Sequence, residues 1–147
     1  MWRPCLTLLV LSAACGRHHT LQDGSYAFSL KESLRDDCNF TAAPGVLSQG
    51  TLKTTGHVVA LDYGLFGIDL NGSYLADVER MTLDGSAANV NTQVNGGECL
   101  LDLVGLHLDG ATTSASSFEG IMAVRLDARR PDRCVCEVWF KYVANRQ

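Results

Sequence analysis

From Gly24 to the end, the chain alternates apolar and polar residues with a period of two. Tyr26, Phe28 and Leu30 fall on one face, with Ser25, Ser29 and Lys31 on the other. Phe118, Gly120, Met122, Val124 and Leu126 repeat the pattern against Glu119, Arg125 and Asp127, and Val138, Phe140 and Tyr142 repeat it against Glu137 and Lys141. Successive side chains of a β-strand point to opposite faces, so this alternation predicts half-buried antiparallel strands. Asp23-Gly24, Asn71-Gly72, Asp84-Gly85, Asn95-Gly96 and Asp109-Gly110 read as hairpin turns, because such pairs reach positive φ at little cost. The segmentation places strands at 24–31, 50–55, 57–63, 65–70, 73–83, 87–94, 98–109, 114–127 and 134–144. A short helix over 30–37 competes with the first strand's end, since Ser29-Leu30-Lys31-Glu32 matches a capping box. Eight or nine hairpin-connected strands make an all-β antiparallel meander, which closes as a small barrel or folds over as a sandwich. Closure is favoured because it removes sheet edges.

The N-terminus follows another rule. Met1-Trp2-Arg3-Pro4 is positively charged, and residues 5 to 14 are an apolar core. That core is far shorter than the ~20 residues a membrane-spanning helix needs, and it fits a signal peptide over residues 1–14. An ordinary signal peptidase accepts Ser12 and Ala14, which would give a secreted, non-lipidated β protein. Leu11-Ser12-Ala13-Ala14-Cys15 also resembles the lipobox of bacterial lipoproteins, in which a diacylglyceryl thioether forms on the cysteine sulfur. The resemblance covers residues 1–16, with one departure: Ser12 stands where the family prefers Leu, and Leu11 lies one step earlier. It implies lipid attachment at Cys15, palmitate among the chains. Gly16 in place of the Asp that holds such proteins at the inner membrane implies the outer membrane. Each buried methylene contributes roughly 0.8 kcal/mol, so two or more chains anchor a protein firmly. Residues 15–23 then form a lipidated cysteine and polar tether, with His18-His19 read as solvated, and residues 24–147 form a single β domain.

Cysteine arithmetic agrees. Of six cysteines, Cys5 leaves with the signal and Cys15 carries lipid, so Cys38, Cys99, Cys134 and Cys136 remain. An even number in an oxidising compartment suggests two disulfides. Cys134 and Cys136 lie two apart on a strand, so both side chains share a face and are poorly placed to bond each other. Each therefore takes one of Cys38 and Cys99, in an order left open. Structural zinc pairs usually have two to four residues between the sulfurs, whereas Cys134-Val135-Cys136 has one, so no metal is expected.

Charge and motifs narrow the function classes. Removing Arg3 with the signal leaves eleven basic against sixteen acidic residues. Without a basic field, nucleic acid is not an expected partner. There is no Gly-x-Ser-x-Gly elbow, no phosphate-cradling loop and no His-Glu-x-x-His, so no catalytic residues and no cofactor are expected. His57 and His107 read as structural, and Asp62 and Asp69 as the solvated flanks of a hairpin. Arg125, Arg129, Arg130 and Arg133 fall around one hairpin. They read either as a soluble loop or as a contact for anionic headgroups.

Gly24-Ser25-Tyr26 faintly resembles the Gly-x-Trp opener of lipocalin-like barrels, with Tyr in place of Trp and no assigned Arg partner on the last strand. That resemblance implies an interior able to hold a small apolar ligand. Tyr26, Phe28, Phe118, Met122, Phe140 and Tyr142 would then line such a pocket, or else fill it as core. The main expectation is a lipid-anchored cell-envelope lipoprotein with a non-catalytic β domain in a structural or interaction role. Its partners would be the membrane, through the lipid, and an envelope protein. Ligand binding in the barrel is the alternative.

Overall fold

The computed structural model describes residues 19–40, 49–130 and 132–147, so Cys15 and the signal lie outside the described residues. Eight strands run in chain order: β1 (Gly24–Asp36), β2 (Gln49–Thr55), β3 (Val58–Asp62), β4 (Asp69–Leu75), β5 (Arg80–Val94), β6 (Gly97–Ser114), β7 (Ser117–Asp127) and β8 (Cys136–Arg146). Each pairs antiparallel with the next, and β1 pairs with β8, so the meander closes as a barrel. No helix among the described residues is long and apolar enough to cross a membrane.

Eight strands form, within the eight or nine expected, but three Asn-Gly or Asp-Gly pairs read as turns lie inside strands. Gly72 lies inside β4, Gly85 inside β5 and Gly110 inside β6. A Cβ at Gly72 would stand 1.9 Å from the Thr82 carbonyl oxygen, and one at Gly85 2.6 Å from that of Asp69. These positions need the missing side chain for close approach of neighbouring backbone where the wall bends. The segment expected as a strand at 65–70 instead begins with a 3-10 turn over Leu65–Gly67, and the expected 73–83 strand is broken by a turn at 76–79. Asn95-Gly96 is a genuine hairpin turn, with φ of 50° and 76°.

The helix that competed over 30–37 does not form. β1 continues to Asp36 along β8, with register shifts between Leu30 and Glu32 and between Ser33 and Arg35. Pairing with a strand distant in sequence overrides the local capping signal there.

The barrel has two distinct ends. One gathers the start of β1, the β2–β3, β4–β5 and β6–β7 hairpins and the end of β8. The other gathers the end of β1, the β3–β4 and β5–β6 connections and the long β7–β8 connection. Inward residues from all eight strands form one core, with Leu52, Leu61, Leu70, Leu83, Leu108, Phe118 and Phe140 fully buried.

Candidate functional site

The six interior residues singled out from the sequence come together. Tyr26, Phe118, Met122, Phe140 and Tyr142 are inaccessible to solvent and Phe28 nearly so. Four of their rings touch: Tyr26 to Phe118 at 5.1 Å between centroids, Phe28 to Phe118 at 5.7 Å and Phe118 to Tyr142 at 5.9 Å. Tilted and edge-on contacts of this kind suit the ring quadrupoles. The Tyr142 hydroxyl donates to the Asp109 carbonyl at 3.1 Å, and burial pushes its pKa well above the usual value. These side chains are buried together in the barrel interior.

The expected solvated tether is corrected at Leu21, whereas His19, Thr20, Gln22 and Asp23 are exposed. Leu21 is 2% exposed and belongs to the core. The His19 amide and ring both reach Glu79 Oε1, at 2.5 and 3.1 Å, and the Tyr74 hydroxyl donates to the His19 carbonyl at 2.6 Å. The Gln22 amide donates to the Ala115 carbonyl at 2.9 Å, and the Tyr26 hydroxyl to the Gln22 carbonyl at 2.6 Å. Residues 19–23 thus lie across the barrel mouth as a plug. A single apolar residue among polar ones has no period, which is why the hydrophobic pattern passes over Leu21. Arg146, at the end of β8, donates through Nε to the Asp23 carbonyl at 3.0 Å and lies against Gly24. It is a last-strand arginine beside Gly24-Ser25-Tyr26.

The opposite end carries the cysteines. Cys38 bonds Cys136 and Cys99 bonds Cys134, so the two crosslinks share the 134–136 pair, and the order left open is settled. Cys134 sits in a 3-10 turn over Asp132–Cys134 and Cys136 opens β8, so the two do not lie on one continuous strand as expected. The arginines gather at this end too. Arg125 pairs with Asp127 at 3.0 Å, Arg129 faces Asp102 at 3.7 Å, and Arg133 lies against Gly97. Arg35 donates to Asp37 and Glu137, at 2.7 and 2.5 Å, and the Asp37 hydrogen bond raises its pKa further.

The outer wall holds one titratable cluster. His107 on β6 sits directly opposite Asp84 on β5, as Asp109 sits opposite Thr82. Its Nδ1 is 2.6 Å from Asp84 and its Nε2 3.2 Å from Asp109, while the Thr82 hydroxyl donates to Asp109 at 3.0 Å. Both ring nitrogens face carboxylates, so only the protonated ring can donate to both. The hydrogen bond to Asp84 raises the His107 pKa most; burial opposes it, and the weaker hydrogen bond to Asp109 adds to the rise. The residues are individually visible in sequence, and the signal joining them is the Asn95-Gly96 turn. Counting outward from a two-residue turn fixes which residues face each other.

Other candidates fall apart or stay apart. His57, expected to open a strand at 57–63, is instead in the β2–β3 turn, with Nδ1 3.4 Å from the Tyr74 carbonyl. Asp62 and Asp69 are register partners closing the β3–β4 hairpin, both exposed. Among the described residues no group of three or more His, Cys, Asp or Glu could hold a metal ion. A groove of about 580 Å³ opens on the outer wall beside Leu75, Val78, Arg80 and Ile121, with Lys31 and Lys141 at its edge. Comparison with protein-family models, curated proteins and solved structures finds no match for this chain.

Proposed function

We propose that this is a lipid-anchored cell-envelope lipoprotein, held by Cys15 at the outer membrane, whose filled β-barrel acts through its surface as a structural or interaction domain. The observation that carries the reading is the cysteine pairing. Cys38 with Cys136 and Cys99 with Cys134 consume all four cysteines of the β domain, in keeping with an oxidising compartment. Cys15 is then left for the lipid that its lipobox-like setting suits. The short packed tether supports the reading, since it brings the anchor position close to a defined barrel end. A non-catalytic role is supported by His107, whose two nitrogens are both engaged by carboxylates rather than aimed at a hydroxyl or thiol.

The lipocalin-like alternative draws support from Arg146 beside the opener, and this bears on architecture. It does not extend to a ligand, because the Tyr26, Phe28, Phe118 and Tyr142 rings already pack against one another and Met122 and Phe140 are buried in the same core.

Radiolabelled palmitate in cells expressing the full chain tests the proposal. Label should enter the native chain, be lost from Cys15→Ser, and follow the outer-membrane fraction. Label retained in Cys15→Ser, or absent from the native chain, overturns it.

A further inference from the structure

The tether determines which end of the barrel can meet a membrane, given the reading above that Cys15 carries lipid. Cys15 lies four positions before His19. Four residues of fully extended chain span at most about 14 Å. His19 is itself held on the β4–β5 hairpin through Glu79, and Gln22 on the β6–β7 hairpin through Ala115. The leash is therefore short, and it starts on the barrel end itself.

That same end exposes three large apolar side chains. Val58 is 60% exposed, Leu75 50% and Val78 54%. Val58 opens β3, whose register partner is Ser73 of β4; Leu75 closes β4; and Val78 lies in the turn leading to β5. The three share one rim. Alternation with buried Val59 and Tyr74 turns Val58 and Leu75 to the outside.

We propose that this rim, Val58, Leu75 and Val78, rests on the bilayer surface in which Cys15 is anchored, so that the disulfide end faces away from the membrane. The contact is apolar. Asp77 and Glu79 lie in the same turn beside His19 and Arg80, so the rim itself is not a cationic patch, and Lys31 and Lys141 edge the groove next to it. Three side chains make too small a surface to hold a free protein on a bilayer. A short leash makes the encounter intramolecular, at an effective concentration in roughly the millimolar range. The arginines of the β7–β8 connection lie at the far end, so headgroup contact through Arg129 and Arg130 does not fit this orientation.

Amide hydrogen exchange on the lipidated full-length protein in phosphatidylcholine–phosphatidylethanolamine vesicles tests the orientation, with the Cys15→Ser chain in solution as reference. Exchange at 56–58 and 76–79 should slow about tenfold on vesicles, and exchange at 95–97 should not change. In a lipidated Leu75→Ser/Val78→Ser protein the slowing should disappear while palmitate and vesicle flotation persist. Equal exchange at both ends, or slowing at 95–97, in a chain that carries palmitate overturns the orientation and leaves the anchor standing. A chain without palmitate overturns both.

Discussion

Cys38, just past the end of β1, and Cys136, at the start of β8, are joined with their Cα atoms 5.4 Å apart across 98 residues of sequence. The bond prolongs the β1–β8 seam that closes the barrel, next to the Asp36–Val138 register pair. Cys99 and Cys134 close a shorter loop of 35 residues. Crosslinks stabilise in part by restricting the unfolded chain, and that effect grows with the logarithm of loop length. Replacing Cys38 and Cys136 with Ala should lower the unfolding free energy by about 4 kcal/mol, and replacing Cys99 and Cys134 by about 3 kcal/mol. Urea unfolding of the two double variants gives both values and their order.

Gly72 and Gly120 are the tightest glycines in the wall. A Cβ at either would lie 1.9 Å from a neighbouring carbonyl oxygen, that of Thr82 or of Asp109. Backbone cannot give way as a flexible side chain does, so Gly72→Ala and Gly120→Ala should each cost about 3 kcal/mol or more. At Gly105 an added Cβ would meet nothing within 4 Å, so Gly105→Ala should leave the melting temperature unchanged or raise it slightly. Thermal unfolding of the three variants separates the cases.

The tether should behave as part of the fold. Leu21→Ala removes a buried side chain at the barrel mouth and should cost about 2–3 kcal/mol. Tyr74→Phe removes the donor to the His19 carbonyl and should cost about 1 kcal/mol. Denaturant unfolding of the Cys15→Ser chain carrying each change gives these values. A free linker would show neither loss.

His107 should titrate above the ordinary histidine value of about 6.5, because the Asp84 and Asp109 carboxylates favour its charged form. A pKa raised on folding means that the folded state binds the proton more tightly. The resulting stability is fully present below the unfolded value and fades as pH rises through the folded one. The side chain is 44% exposed, so solvent screens the effect and the change in stability is small. NMR titration of the imidazole protons should show the raised pKa in the native protein. Asp84→Asn should bring it down further than Asp109→Asn does.

Where one face of a strand is buried and the other wet, alternation exposes the architecture. β7, β8 and the first part of β1 are such strands, and period two alone turns Tyr26, Phe28, Phe118, Met122, Phe140 and Tyr142 inward; beyond Phe28 both faces of β1 are exposed and Leu30 leaves the pattern. The same logic misplaces glycines. Asn71-Gly72 and Asp84-Gly85 look like Asn95-Gly96 in sequence, but only the last pair takes up the positive φ that the residues permit. The other two serve close packing between strands, a demand set by barrel curvature and invisible to a local window. The cysteine pairing is half readable: strand order brings Cys38 to the 134–136 pair, but choosing between those two requires the 3-10 turn at Asp132–Cys134. The His107 cluster lies within reach, since the hairpin turn already dictates its register.

The placement of tether and crosslink has a mechanical consequence. Tension entering through residues 19–23 runs along β1, which is matched to β8 at nine register positions. Held at the Cys136 end of β8, this antiparallel seam is loaded in shear, so its hydrogen bonds share the force instead of opening one after another. Beyond the seam the pull meets the Cys38–Cys136 bond, a covalent shortcut to β8 that bypasses six of the eight strands. A barrel tugged between its anchor and a grip at the disulfide end would therefore yield little length before force reached a covalent bond.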